Sequence, residues 1–338
     1  MRCSSATRAS SARSASSRTL SASRSFRSAS FSSLLLNIAP PSAGISATFP
    51  AVAKRSVPTG ELSAPVHDGR VPAEEAEDET ERNKRRYQRA LFDDVAQLYQ
   101  ATRPGYPPEL TGFVAATASV GAGDPVLEVG CGTGQLTQAL LPFGFALTAI
   151  DLGAAMIEVV SERIGAGRVT FRAVAFEELD AAPGTFGLVI AGAAFHWIDP
   201  EVRFRKAARL LRPGGWLAVA GYDERYDEPL GSALDAMWLA RAGTAGAWVT
   251  RSADSAAIGG SGLFGPAAER TFPHRITRQA QDVIGVENTR ATSLSWPAAE
   301  RGAFNAELRE RLRDLPEVGV TVEASVTMAP VLPAAAGA

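Results

Sequence analysis

The residues Val126-Leu127-Glu128-Val129-Gly130-Cys131-Gly132-Thr133-Gly134 hold the densest chemical information in this sequence. Val126 to Val129 read as a buried strand. Gly130, Gly132 and Gly134 then make a loop with glycine at every second position. Glycine lacks a Cβ, so such a loop reaches positive φ and lets a ligand lie against bare backbone. The next residues, Gln135 to Leu141, have helical character, so the loop opens onto a helix N-terminus whose free N–H groups attract an anionic or polar group.

Two carboxylates sharpen this. Asp151 lies 17 residues past Gly134, where a second strand should end. A carboxylate there can accept two hydrogen bonds from a ribose diol; the plainer alternative is a helix cap. Glu128, inside the first strand, is costly to bury unpaired. It should hold the loop N–H groups or a ligand ammonium, or else enter a structural salt bridge. Cys131 reads as a small space-filler. The spacing G-x-G-x-G differs from the G-x-G-x-x-G of dinucleotide dehydrogenases, which turns the reading away from a nicotinamide.

The elements that must position these groups alternate. Strands are expected at 126–129, 146–150, 169–174, 186–191 and 216–220, with helices at 135–142, 154–164 and 200–211. Asp199 is a good N-cap and Pro200 suits the first helical position. This rhythm predicts an α/β fold, a doubly wound and mainly parallel sheet covered by helices. Ligands then bind beyond the carboxyl ends of the strands, which gathers the glycine loop, Asp151, Ala175-Phe176 and Ala193 to Trp197 around one pocket. Upstream, helices are expected at 85–99 and 109–118. Downstream, a strand is expected at 268–275, helices at 277–288 and 298–313, and a last strand at 320–328 with Val320, Val322, Ala324, Val326 and Met328 on one face.

The chain has 338 residues and a formal net charge of −2, so its overall charge favours neither nucleic acid nor an anionic membrane surface. Cys3 and Cys131 cannot build a disulfide framework, and His67, His196 and His274 are scattered, so no metal site is expected. No apolar run approaches the roughly 20 residues that span a bilayer. Residues 1 to about 60 are rich in Ser, Ala and Arg, and the first acid is Glu61. This segment, with a charged linker to residue 85, is expected to be disordered. It reads as a transit peptide for plastid or mitochondrion, as a basic arm, or as an extension without a role; the folded part reads as cytoplasmic. Residues 86–338 form the expected folded domain, with a binding core at 123–221 and a lid and C-terminal part at 222–330.

Several ordered motifs resemble the class I S-adenosylmethionine-dependent methyltransferases. They are the 126–135 motif, Ile150-Asp151 with Met156, Phe195-His196-Trp197-Ile198-Asp199, and Leu210-Leu211-Arg212-Pro213-Gly214-Gly215. Phe92-Asp93-Asp94 through Tyr99, with Arg103-Pro104-Gly105-Tyr106-Pro107, is similar to a small-molecule group that includes trans-aconitate methyltransferase-like proteins. The resemblance implies S-adenosyl-L-methionine as cofactor. Gly130, Gly132 and Gly134 would then line its methionine half, Glu128, Cys131 and Ala193 would also belong to the cofactor site, and Asp151 would bind the ribose. Leu152 and Met156 would flank the adenine, with Ala175 and Phe176 at its outer edge. Ala175 departs from the family, many of whose members carry an acid there. His196 is either a general base toward the acceptor or a wall residue. Trp197 either covers the methyl donor or fills the core. Arg103 pairs with an acceptor carboxylate, with the methionine carboxylate, or in an ordinary salt bridge. The implied acceptor is a small molecule, with a carboxylate or hydroxyl oxygen as the methylated atom by analogy. The rival readings are a nicotinamide-dependent oxidoreductase on a similar sheet and a non-catalytic binding module.

Overall fold

The structure is a computed structural model that describes residues 87–165, 167–243 and 255–333. The expected extension and linker of 1–85, with Cys3 and His67, lie outside the described residues, as does Trp248.

The first strands and helices follow the apolar patterning. They are α1 (Ala96–Thr102), α2 (Pro108–Ala118), β1 (Pro125–Val129), α3 (Gln135–Leu140), β2 (Ala146–Asp151), α4 (Ala154–Ile164), β3 (Thr170–Ala173), β4 (Phe186–Gly192) and α5 (Pro200–Leu210). The second half adds β5 (Leu211–Tyr226), α6 (Leu230–Ala242), α7 (Ser255–Gly260), β6 (Ala268–Gln279), α8 (Ala280–Asn288), α9 (Ala291–Leu294), α10 (Ala298–Leu312) and β7 (Glu317–Pro330). The strands form one seven-stranded sheet in the order β3-β2-β1-β4-β5-β7-β6. The first five run parallel, and β7 runs antiparallel to both β5 and β6.

β1 and β4 are buried on both faces, as their continuous apolar runs require. Successive side chains alternate between two cores. Val126, Leu188 and Ile190 pack with Leu110 and Val114 of α2 and Leu136 and Leu140 of α3. Leu127, Val129 and Val189 pack with Phe204, Ala207 and Leu210 of α5. Asp199 caps α5 through Glu201 N at 2.9 Å, as its sequence position requires.

Three departures from the sequence expectation have physical causes. β5 continues to Tyr226 rather than stopping near Ala220, because β7 supplies an antiparallel partner from Trp216↔Pro330 to Tyr226↔Val320. The first expected helix is broken. Helical residues 87–91 and α1 are separated by a 3-10 turn at Asp93–Val95, where the Asp93 carboxylate turns away to accept from Ala155 N and Met156 N. The region read as a lid, 222–330, contributes the end of β5 and the whole of β6 and β7 to the sheet. Its helices α6, α8 and α10 form a separate core around Trp238, Val283, Phe304 and Leu308. The expected face of β7 is buried at Val320, Val322, Ala324, Val326 and Met328.

Candidate functional site

The three loop glycines all take positive φ: +68° at Gly130, +52° at Gly132 and +90° at Gly134. Their surroundings differ. A Cβ on Gly130 would lie 2.3 Å from Ala194 Cβ, and one on Gly134 would lie 2.4 Å from Val160 Cγ2. A Cβ on Gly132 would meet nothing within 4 Å. Gly130 and Gly134 are thus packing requirements, and Gly132 is the point where bare backbone faces open space. Gly130 N and Cys131 N both donate to Ile150 O, at 2.8 and 3.0 Å, so the loop is pinned to the end of β2.

Asp151 stands at that end. It accepts from Gly132 N and Gly153 N, both at 2.9 Å, one on each carboxylate oxygen. It thereby ties the loop to the turn before α4 and keeps further lone pairs on both oxygens. Burial raises its carboxyl above the ordinary range, opposed by the two backbone donors. Glu128 is fully buried beneath the loop and accepts from Thr137 Oγ1 at 2.7 Å. Burial pushes it up to about 8, so it carries a proton at neutral pH. No salt bridge to Glu128 occurs among the described residues. Cys131 is buried with Ala149, Val160 and Ile164, and burial raises its thiol well above its ordinary value. That removes the thiolate a nucleophile needs and supports the space-filling role.

The opposite wall is the loop after β4. Ala193 takes a φ of +52°, and its N donates to Ala220 O at 2.8 Å. His196 is exposed. Crowding of the ring by the surrounding protein, and then the Arg203 guanidinium, lower its imidazole below the ordinary value, so it is neutral at pH 7. Trp197 lies 5.0 Å from the His196 ring and packs edge-on against Phe92 at 5.9 Å. Leu152 is exposed beside Asp151, whereas Met156 is buried with Ala96 and Val159. Ala175 and Phe176 are buried at the end of β3, and Lys206 Nζ lies over the Phe176 ring.

The leading segment supplies residues that sequence reasoning did not single out. Asp93 Oδ1 accepts from Ala155 N at 2.8 Å and Met156 N at 3.2 Å, in the first turn of α4. Arg89 pairs with Glu177 at 2.9 Å. Gln100, with its amide nitrogen toward the glycine loop, donates to Thr133 O at 2.7 Å. These contacts bridge long sequence separations, so no local pattern announces them; the only trace is that Asp93 falls in the motif from Phe92 to Tyr99. Arg103 donates to Thr289 Oγ1 at 3.0 Å and Thr289 O at 2.6 Å and stacks over Tyr99. It makes no salt bridge among the described residues.

A mainly parallel sheet with a pinned glycine loop after β1, an acid ending β2 and an antiparallel β7 is a Rossmann-like fold. Residues 127–219 match the family described as Methyltransferase domain. An uncharacterized methyltransferase of Mycobacterium tuberculosis (strain ATCC 25618 / H37Rv) is 32% identical over 140 residues, covering 41% of this chain and 54% of that protein. A ubiquinone biosynthesis O-methyltransferase of Chromobacterium violaceum is 37% identical over 109 residues, covering 31% and 47%. The chain thus spans about half the length of these relatives. A solved structure assigned as a type II methyltransferase, from Anaeromyxobacter dehalogenans, shares the fold with a TM-score of 0.52 at 24% identity, covering 68% of this chain and 99% of that one.

Proposed function

We propose that this chain transfers a methyl group from S-adenosylmethionine to a small-molecule acceptor. The observation that carries the reading is Gly132. Within a methyltransferase domain, it is the loop glycine whose open side faces no protein, and its N–H is held by Asp151. When bound, S-adenosylmethionine supplies an electrophilic methyl carbon on a sulfonium. Asp151 would accept from the ribose hydroxyls, Gly130, Gly132, Gly134 and Ala193 would line the methionine half, and Glu128 would face its ammonium. Leu152, Met156, Ala175 and Phe176 would enclose the adenine, with Met156 acting from beneath. Positioning by these walls can supply roughly 7–11 kcal/mol of the barrier in favourable cases. The O-methyltransferase relative favours an oxygen acceptor, and the 92–107 motif favours the trans-aconitate-like group. A cytoplasmic location belongs to the same proposal.

His196 is neutral at working pH and free to accept a proton or hydrogen bond from an acceptor, with Trp197 beside it. His196→Ala should lower turnover at least tenfold with donor affinity unchanged, and should remove an acid limb from the rate profile; an unaltered profile would make it a wall residue. The primary test is a thermal-shift comparison of S-adenosylhomocysteine with NAD and NADP. Stabilisation by the homocysteine nucleoside alone is expected. Stabilisation by a nicotinamide alone would sink the proposal.

A further inference from the structure

α4 begins without a cap of its own. Its N-cap residue is Gly153, which has no side chain to bond the free N–H groups of the first turn. Gly153 has a φ of −75° and a ψ of 118°, a conformation open to any residue, so its backbone does not call for glycine. The space around it does. A Cβ on Gly153 would lie 2.6 Å from Asp93 Oδ1. That oxygen accepts from Ala155 N at 2.8 Å and Met156 N at 3.2 Å, on the second and third residues of the helix. These are the N–H groups that an aspartate at the N-cap position itself would bond. The cap is supplied instead across 62 residues of sequence.

The turn closed in this way carries Asp151. Asp151 Oδ1 accepts from Gly153 N at 2.9 Å, so the orientation of its carboxylate depends on where Gly153 stands. Two more contacts hold the leading segment across the carboxyl ends of the neighbouring strands. Arg89 reaches Glu177, after β3, at 2.9 Å, and Gln100 reaches Thr133 O, in the glycine loop after β1, at 2.7 Å. Asp93 lies between them in sequence and meets the turn after β2. A cap within the helix would hold α4 whether or not the leading segment lay on it. A cap from outside makes each depend on the other.

We infer that Asp93 is a positioning residue for the nucleoside ligand: by capping α4 from the leading segment, it fixes the turn 151–153 and with it the carboxylate that receives the ribose. Asp93 acts through Asp151 and Gly153 rather than on the ligand. The inference rests on the methyl-transfer reading for the identity of that ligand. Glycine at 153 is then the space that the distant carboxylate requires, and a methyl group there should evict it.

Calorimetric titration of the full chain with S-adenosylhomocysteine, 5′-methylthioadenosine and NAD tests this. Asp93→Ala should weaken both sulfur nucleosides at least tenfold and by similar factors, because the ribose is common to them. Asp93→Asn keeps an oxygen that can accept from both N–H groups and should stay within threefold of the parent. Gly153→Ala should match Asp93→Ala. The two together should lose less than a further twofold, since the new Cβ then has only the flexible Met156 side chain to displace. Leu308→Ala, in the core of α6, α8 and α10, should lower the thermal midpoint with affinities unchanged, which separates positioning from loss of stability. The role is overturned by an Asp93→Ala affinity within twofold of the parent, by an asparagine variant as weak as the alanine one, by losses at 93 and 153 that multiply, or by an equal loss in Leu308→Ala. Should Asp93→Ala fail to fold, Gly153→Ala against Asp93→Asn decides. A parent chain that binds NAD and neither sulfur nucleoside would remove the methyl-donor reading, and the same ratios measured with NAD would then judge Asp93. A parent that binds none of the three overturns both.

Discussion

Gly130 and Gly132 share a left-handed backbone but meet different neighbours, so alanine should separate packing from binding. Gly130→Ala forces a Cβ onto Ala194. It should cost about 1–2 kcal/mol for the backbone and about 1–3 kcal/mol more for overpacking, read as a lower thermal midpoint. Gly132→Ala meets open space and should lose only the backbone part, yet weaken S-adenosylhomocysteine binding at least tenfold by calorimetry. Glu128 makes the second residue-scale prediction. Its folded value of about 8 lies above the usual 4.5, so the folded chain holds this proton more tightly than the unfolded chain does. Its contribution to stability is present in acid and is lost as pH rises from about 4.5 to about 8. Glu128→Gln can still accept from Thr137 and removes that loss. Its stability relative to the parent should therefore rise over this range, by up to a few kcal/mol, in denaturant titrations at several pH values.

The leading segment works at the scale of elements. Its residues 89, 93 and 100 reach Glu177, the first turn of α4 and the glycine loop. α1 is held from behind by α8, where a Cβ on Gly285 would come within 2.4 Å of Thr102 Cγ2. Gly285→Val should therefore push α1 away and lower stability by about 1–3 kcal/mol. It should also weaken nucleoside binding by several-fold, although Gly285 touches none of the loop residues. Unchanged affinity alongside lowered stability would show that the segment covers the site without shaping it.

At the scale of the molecule, Arg278 joins three parts of the chain. From β6 it pairs with Glu224 on β5 and donates to Thr102 O at the end of α1. Both members of the pair are buried. Removing one partner of a buried pair typically costs about 3–5 kcal/mol, because the other charge is left unpaired. Arg278→Met should show a loss of that size in chemical denaturation, and pairing it with Glu224→Gln should recover most of it. A double variant no better than the single would mean that the bond to Thr102 dominates.

The sequence by itself determined the sheet core, the glycine loop and Asp151 as its neighbour. Each is written in short-range signals: continuous apolar runs for β1 and β4, an N-cap at Asp199 followed by Pro200, and the glycine spacing itself. It also marked Cys131 as filler and the buried face of β7. Only the tertiary structure decided that 222–330 builds sheet as well as covering helices, because β5 extends just as far as β7 is there to pair with it. The partners of Asp93 and Arg103 were decided there too. Asp93 meets α4 across more than 60 residues, and Arg103 meets Thr289 across 186. Hydrogen bonds and charge balance at such separations depend on how the elements pack, and no local pattern encodes them.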